Sequence, residues 1–161
     1  MNQIGPVATA EKATYLEVLL LIERLHRRLL DVLKAELDRL GRSDVNNVQT
    51  LILYNIGEDE LTVGELSNRG YYLGSNVSYN VKKLVEFGYL HQERSTHDRW
   101  AVRIRLSEKG LDLRRQISGL FDWHVQALFT VSGMAADELQ KVNGALRALE
   151  GFWSAQVRFG G

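Results

Sequence analysis

Between positions 11 and 40, apolar residues recur at three- and four-residue steps: Tyr15, Val18, Leu19, Ile22, Leu25, Leu29, Leu33, Leu37 and Leu40, with charges between them. This is the period of a helix with one apolar face. At 1.5 Å per residue it is about 45 Å long. Leu20, Leu21 and Leu30 widen that face beyond what a domain of this size covers by itself, and Gly41 is a natural stop. Asn46 is the expected N-cap of a second helix that buries Val48, Ile52 and Ile56 before Gly57 ends it. Thr62-Val63-Gly64-Glu65 reads as a capping box, which starts a short third helix running to Arg69. After Gly70-Tyr71-Tyr72-Leu73-Gly74, a fourth helix sets Val77, Val81, Leu84 and Val85 on one face. Its other face carries Ser75, Asn76, Ser78, Tyr79, Lys82 and Lys83, and Gly88 closes it.

The period then drops from 3.6 to 2. Val102, Ile104 and Leu106 alternate with Arg103 and Arg105, and the polar turn Ser95-Thr96-His97-Asp98 separates this run from residues 89–94. A β-hairpin with one dry and one basic face is predicted. Ser107 is a suitable N-cap for a fifth helix through Leu111, Ile117, Leu120, Phe121, His124 and Leu128. A sixth, over 135–156, places Leu139, Val142, Leu146, Leu149 and Trp153 on one seam. The predicted fold class is mainly α with a small β-hairpin. No repeat, linker or low-complexity stretch divides it, so one domain is expected over 1–161.

Composition removes whole classes of chemistry. The 161 residues are 45% hydrophobic and 25% charged, as in an ordinary globular protein, and none is cysteine. Disulfides, thiolate catalysis and thiolate metal sites are therefore out of reach. No metal or cofactor site is expected, because His26, His91, His97 and His124 are scattered without ligand spacing. Nucleophile elbow, phosphate loop and HExxH are all lacking, so no enzyme is expected. With no apolar run long enough for a bilayer and no secretory signal pattern at the N-terminus, the expected location is cytoplasmic, with no membrane partner. Net charge is zero but unevenly placed. From Thr62 to Arg105 seven Lys/Arg (Arg69, Lys82, Lys83, Arg94, Arg99, Arg103, Arg105) face four acids (Glu65, Glu86, Glu93, Asp98), giving +3 against −3 for the remainder.

The order short helix, tight connection, polar-faced helix, basic hairpin has a direct physical reading. The fourth helix fits the major groove of double-stranded DNA, where side chains of its N-terminal half reach base edges. The hairpin then lies beside the duplex, with Arg94 and Arg99 near its tip and Arg103 and Arg105 along one strand. The plainer reading is a solvated amphipathic helix and a hairpin that is merely soluble. A rival function is a protein-interaction module that no longer binds DNA. Against it stand Ser75, Asn76, Ser78, Lys82 and Lys83 on the open face, where an interaction surface favours aromatics over lysine; only Tyr79 points the other way.

The segment TVGELSNRGYYLGSNVSYNVKKLVEFGYL resembles the helix-turn-helix of the MarR family without a gap, and ERSTHDRWAVRIRLSEKG resembles its wing. The resemblance implies a homodimer, with residues 11–40 and 108–157 as dimerisation helices and 44–106 as the winged DNA-binding lobe. It also implies transcriptional control at a pseudo-palindrome and a small organic effector in a cleft bordered by Arg24, Tyr54, Trp123 and His124. The dimer is expected on physical grounds too, since the apolar faces of the first and sixth helices exceed what one chain buries. The chain departs from the family pattern in two places. Gly70-Tyr71-Tyr72-Leu73 replaces the usual Leu-Gly-Leu-Ser type turn, and Trp100 stands where the wing commonly has arginine, two residues after Asp98. Arg99 is then the guanidinium left to enter a minor groove, and Trp100 is expected to pack on the dry side of the wing.

Overall fold

The computed structural model describes residues 9–70, 74–94 and 101–159. Its elements run α1 (Thr9–Arg39), α2 (Asn47–Ile56), β1 (Leu61–Thr62), α3 (Val63–Gly70), α4 (Gly74–Glu86), β2 (Leu90–Arg94), β3 (Val102–Leu106), α5 (Glu108–Val131) and α6 (Ala136–Phe159). The fold is mainly helical with a small β wing, as the two periods predict.

Local chemistry sets the element ends. Asn46 caps α2 by accepting from the Gln49 amide at 2.8 Å, and the Gln49 side chain returns the bond to the Asn46 N–H at 3.1 Å. Both halves of the Thr62/Glu65 box are formed, at 3.1 and 3.0 Å. The Ser107 hydroxyl accepts from the Gly110 N–H at the start of α5. Gly88, at φ +81°, turns the chain out of α4 into β2, a conformation that is strained for any residue with a Cβ.

The sheet has one strand more than the expected hairpin, in the order β1-β3-β2, all antiparallel. At two residues β1 is too short to show an alternation. Its Thr62 serves twice, pairing with Arg103 and capping α3. One other expectation needs correction. Val48 is exposed at the start of α2, where Leu53 and the polar Gln49 and Thr50 are buried instead. In α1 only Leu33, Glu36 and Leu37 are buried, so most of its apolar face is open, as expected of a face wider than one chain covers.

The chain divides into two compact units, Met1–Ile117 and Ser118–Gly161. In the first, Ile52, Leu53 and Ile56 of α2, Leu66 of α3, Val77 and Leu84 of α4, and Ile104 of β3 form the core. Burying each such side chain contributes about 1.5–3 kcal/mol. In the second, none of the described residues of α6 is buried, and Leu139, Val142, Leu146 and Phe152 are exposed.

Candidate nucleic-acid interface

Helix α4 is divided lengthwise. Val77, Val81 and Leu84 are fastened into the core. On the far side Asn76, Ser78 and Lys82 are exposed, and Tyr79 is 61% exposed. Ser75 belongs to the same helix; its side chain lies outside the described residues. Lys83 is half-buried: its ammonium sits 5.9 Å from the Tyr79 ring centroid and 3.2 Å from the Glu86 carboxylate. The structure thus brings Asn76, Ser78, Tyr79, Lys82 and Lys83 onto one open row of donors, cations and one aromatic ring. Such a row can meet base edges and phosphates together.

Helix α3 braces α4 from behind. Leu66 is fully buried, and Arg69 leans back on α2, within 3.5 Å of the Asn55 and Ile56 carbonyls and 3.3 Å of Asp59. A guanidinium at the C-terminal carbonyls of a helix compensates its dipole. Arg69 therefore ties two helices together, although it counts toward the basic segment.

The wing register separates residues that the sequence groups together. Arg103 lies opposite Glu93 and Arg105 opposite His91, so these four share one face of the sheet. Arg94 lies opposite Val102 and belongs to the other face, with Ile104 and Leu106. Both Arg94 and Arg103 are exposed, but they point to opposite sides. Asp98, Arg99 and Trp100 lie outside the described residues.

Of the residues expected to border an effector cleft, Arg24 and Tyr54 belong to the first unit and Trp123 and His124 to the second. Arg24 is exposed on α1. Tyr54 lies under the Arg114 guanidinium at 4.9 Å, which in turn is 4.0 Å from Glu58. Trp123, 63% exposed, and His124 stack at 5.5 Å in the second unit.

Two features escaped the sequence reading. Gln49 and Asn80 are buried polar residues, 7% and 8% exposed, with the Gln49 amide donating to Asn80 Oδ1 at 3.3 Å. Their signals were present, since Asn46-x-x-Gln49 has the capping-box spacing and Asn80 interrupts an apolar stripe. The second is a polar node at the foot of the wing. The Tyr89 hydroxyl donates to Asp44 at 2.7 Å, Lys109 donates to Asp44 at 2.6 Å, and Arg42 donates to Tyr89 at 3.3 Å and Asp112 at 2.6 Å. Lys109 also sits 4.3 Å over the Tyr89 ring. Burial pushes the Asp44 carboxyl up, but hydrogen bonds from Lys109 and Tyr89 outweigh it and hold the carboxyl below its ordinary value. Burial, then the Asp44 hydrogen bond, push the Tyr89 phenol up, against Arg42.

Among the described residues, no group of three or more His, Asp or Glu could hold a metal ion, and no helix is long and apolar enough to cross a membrane.

Comparison with known proteins agrees with this geometry. A family model for the MarR family matches residues 43–99. The exopolysaccharide II synthesis transcriptional activator ExpG of Rhizobium meliloti (strain 1021) is 38% identical over 147 residues, 91% of this chain and 75% of the relative. Streptococcus pneumoniae FabT, solved in complex with DNA, superposes with a TM-score of 0.71 at 20% identity, over 88% of this chain and 98% of that one. A cysteine-to-serine variant of MarR from E. coli, solved with operator DNA, gives 0.70 at 19% identity, over 84% and 95%. At these identities the two structures establish a shared fold, while the family rests on the matched segment and the ExpG relative. The chain belongs to the MarR family, whose members are winged helix-turn-helix, DNA-binding transcriptional regulators and not enzymes.

Proposed function

We propose that this chain works as a homodimer that reads a pseudo-palindromic operator in double-stranded DNA, with α4 in the major groove and the wing beside it. The observation that carries the reading is the lengthwise division of α4, apolar and buried on one side, polar and open on the other. Asn76 and Tyr79, nearer its N-terminus, contact bases. Ser75, Ser78, Lys82 and Lys83 contact mainly phosphates, as do Arg94 and Arg103 in the wing, and Arg99 enters the adjoining minor groove. The name of the ExpG relative, a transcriptional activator, and the DNA held by FabT and MarR in their structures support a role at promoters. A small organic effector near Tyr54 belongs to the same reading.

Selection of bound duplexes from a random pool by the purified protein tests it. The expected product is a near-palindrome with half-sites about one helical turn apart. Asn76→Ala should then change base preference within a half-site, whereas Lys82→Ala should weaken all duplexes alike and lower the salt slope by about 1 per half-site, or about 2 for the dimer. An asymmetric consensus, or preference altered by Lys82→Ala and not by Asn76→Ala, would overturn the assignment.

A further inference from the structure

We infer that Gln49 and Asn80 are positioning residues that set the recognition helix α4 for base readout, by tying its first turn to the capped start of α2. The inference rests on the proposed placement of α4 in the major groove.

Its basis is a continuous run of hydrogen bonds across two helices. Asn47 donates to the Leu30 carbonyl at 3.1 Å, which pins the start of α2 to α1. One residue earlier, Asn46 and Gln49 exchange the two bonds of the capping box. The Gln49 amide then donates to Asn80 Oδ1 at 3.3 Å, and the Asn80 amide donates to the Asn76 carbonyl at 2.8 Å. Both polar side-chain atoms of Gln49 and both of Asn80 have a defined role. The capping box alone would accept glutamate or glutamine at position 49. Only glutamine also has an N–H left to give to Asn80.

Asn80 is hard to explain by stability alone. It lies beside Val77, Val81 and Leu84 on the buried side of α4, where asparagine is a poor helix former and an apolar side chain would pack. A buried polar pair fixes one arrangement of two helices, since sliding or turning α4 would strand an amide in the core. Asn76, whose carbonyl ends the path, presents its own side chain to the open face. The path therefore acts on the orientation of the turn from which bases are read.

Once the carboxyl introduced by Gln49→Glu is ionised, the Asn80 amide has no favourable orientation towards it. Left as it is, it sets its oxygen against the new carboxylate; turned over, it sets that oxygen against the Asn76 carbonyl.

The experiment compares wild type, Gln49→Glu, Asn80→Ala and the double variant in competition titrations of the selected operator against random duplex at one salt concentration. Asn76→Ala serves as a reference, and thermal unfolding is followed in parallel. Gln49→Glu keeps the cap and the side-chain size, so it is expected to fold. Each single variant should lower the operator-over-random ratio by roughly three- to tenfold, through loss on the operator and with the salt slope unchanged. The double variant should lose no more than the larger single loss, because both act through one path. Additive losses, or operator and random affinities that fall together in step with thermal stability, would overturn the inference. Asn76→Ala decides separately on the base contact: if it leaves preference intact, that contact is wrong, while Gln49 and Asn80 are still judged by their own ratios.

Discussion

At Gly110 the backbone of α5 runs against the turn before β2, and a Cβ placed there would stand 2.3 Å from the Tyr89 carbonyl oxygen. That carbonyl already accepts from the Ser107 N–H at 3.0 Å, so it cannot move aside without breaking the start of α5. Gly110→Ala should therefore destabilise the protein by about 3 kcal/mol or more, read as a lower denaturant midpoint with an unchanged slope. The neighbouring node gives a pH signature. Asp44 titrates below its ordinary 3.8 when folded, so its contribution is present above that pH and is lost as pH falls through the folded value. Tyr89 titrates above its ordinary 10.0, so its contribution is present below that pH and is lost as pH rises through the folded value. The part of the thermal midpoint that the node contributes, read as the difference between wild type and a variant without it, should be flat between these limits and fall on both sides. Asp44→Asn should flatten the acid limb and weaken the alkaline one, and an acid limb as steep as that of wild type would remove Asp44 from the account.

For α4 as an element, the acid at its C-terminal end works against the cations beside it. Glu86 holds Lys83 in the free protein and would lie close to any phosphate that Lys83 reaches. Glu86→Gln should tighten binding to operator and random duplex alike by about two- to fivefold, in titrations at low salt, with base preference unchanged. A change in preference would place Glu86 in base readout. The same helix marks how far the sequence could be read. Its two faces follow from a 3.6 period, and its open row was legible because Ser78, Tyr79, Lys82 and Lys83 fall between buried valines and leucine. The wing alternation was legible too. Its register was not, because a run of alternating residues does not state which partner lies opposite. Pairing alone puts Arg94 on the Val102 side and Arg103 on the other. Nor was the third strand legible, since two residues make no pattern. Asn80 was not legible as part of that face: it breaks the apolar stripe, and the Gln49 amide behind it accounts for the break.

Across the whole molecule, apolar surface exceeds what one chain covers. Leu16, Leu20 and Leu25 on α1, and Leu139, Val142, Leu146 and Phe152 on α6, are exposed in the single chain. Light scattering should accordingly give twice the 18.3 kDa chain mass. A folded 18.3 kDa species at micromolar concentration would contradict the homodimer. The polar node has a consequence of another kind. Arg42 and Asp44 meet Tyr89, Lys109 and Asp112 across separations of 45 to 70 residues. Closing such long loops costs configurational entropy before any bond is gained, so contacts of this type assemble late on the way to the native state. Interactions absent from the folding transition state leave the refolding rate nearly untouched and slow escape from the folded form. Substitutions in the joint between α5 and the foot of the wing are therefore expected to speed unfolding and leave refolding nearly unchanged, a split that stopped-flow measurements on Asp44→Asn would check.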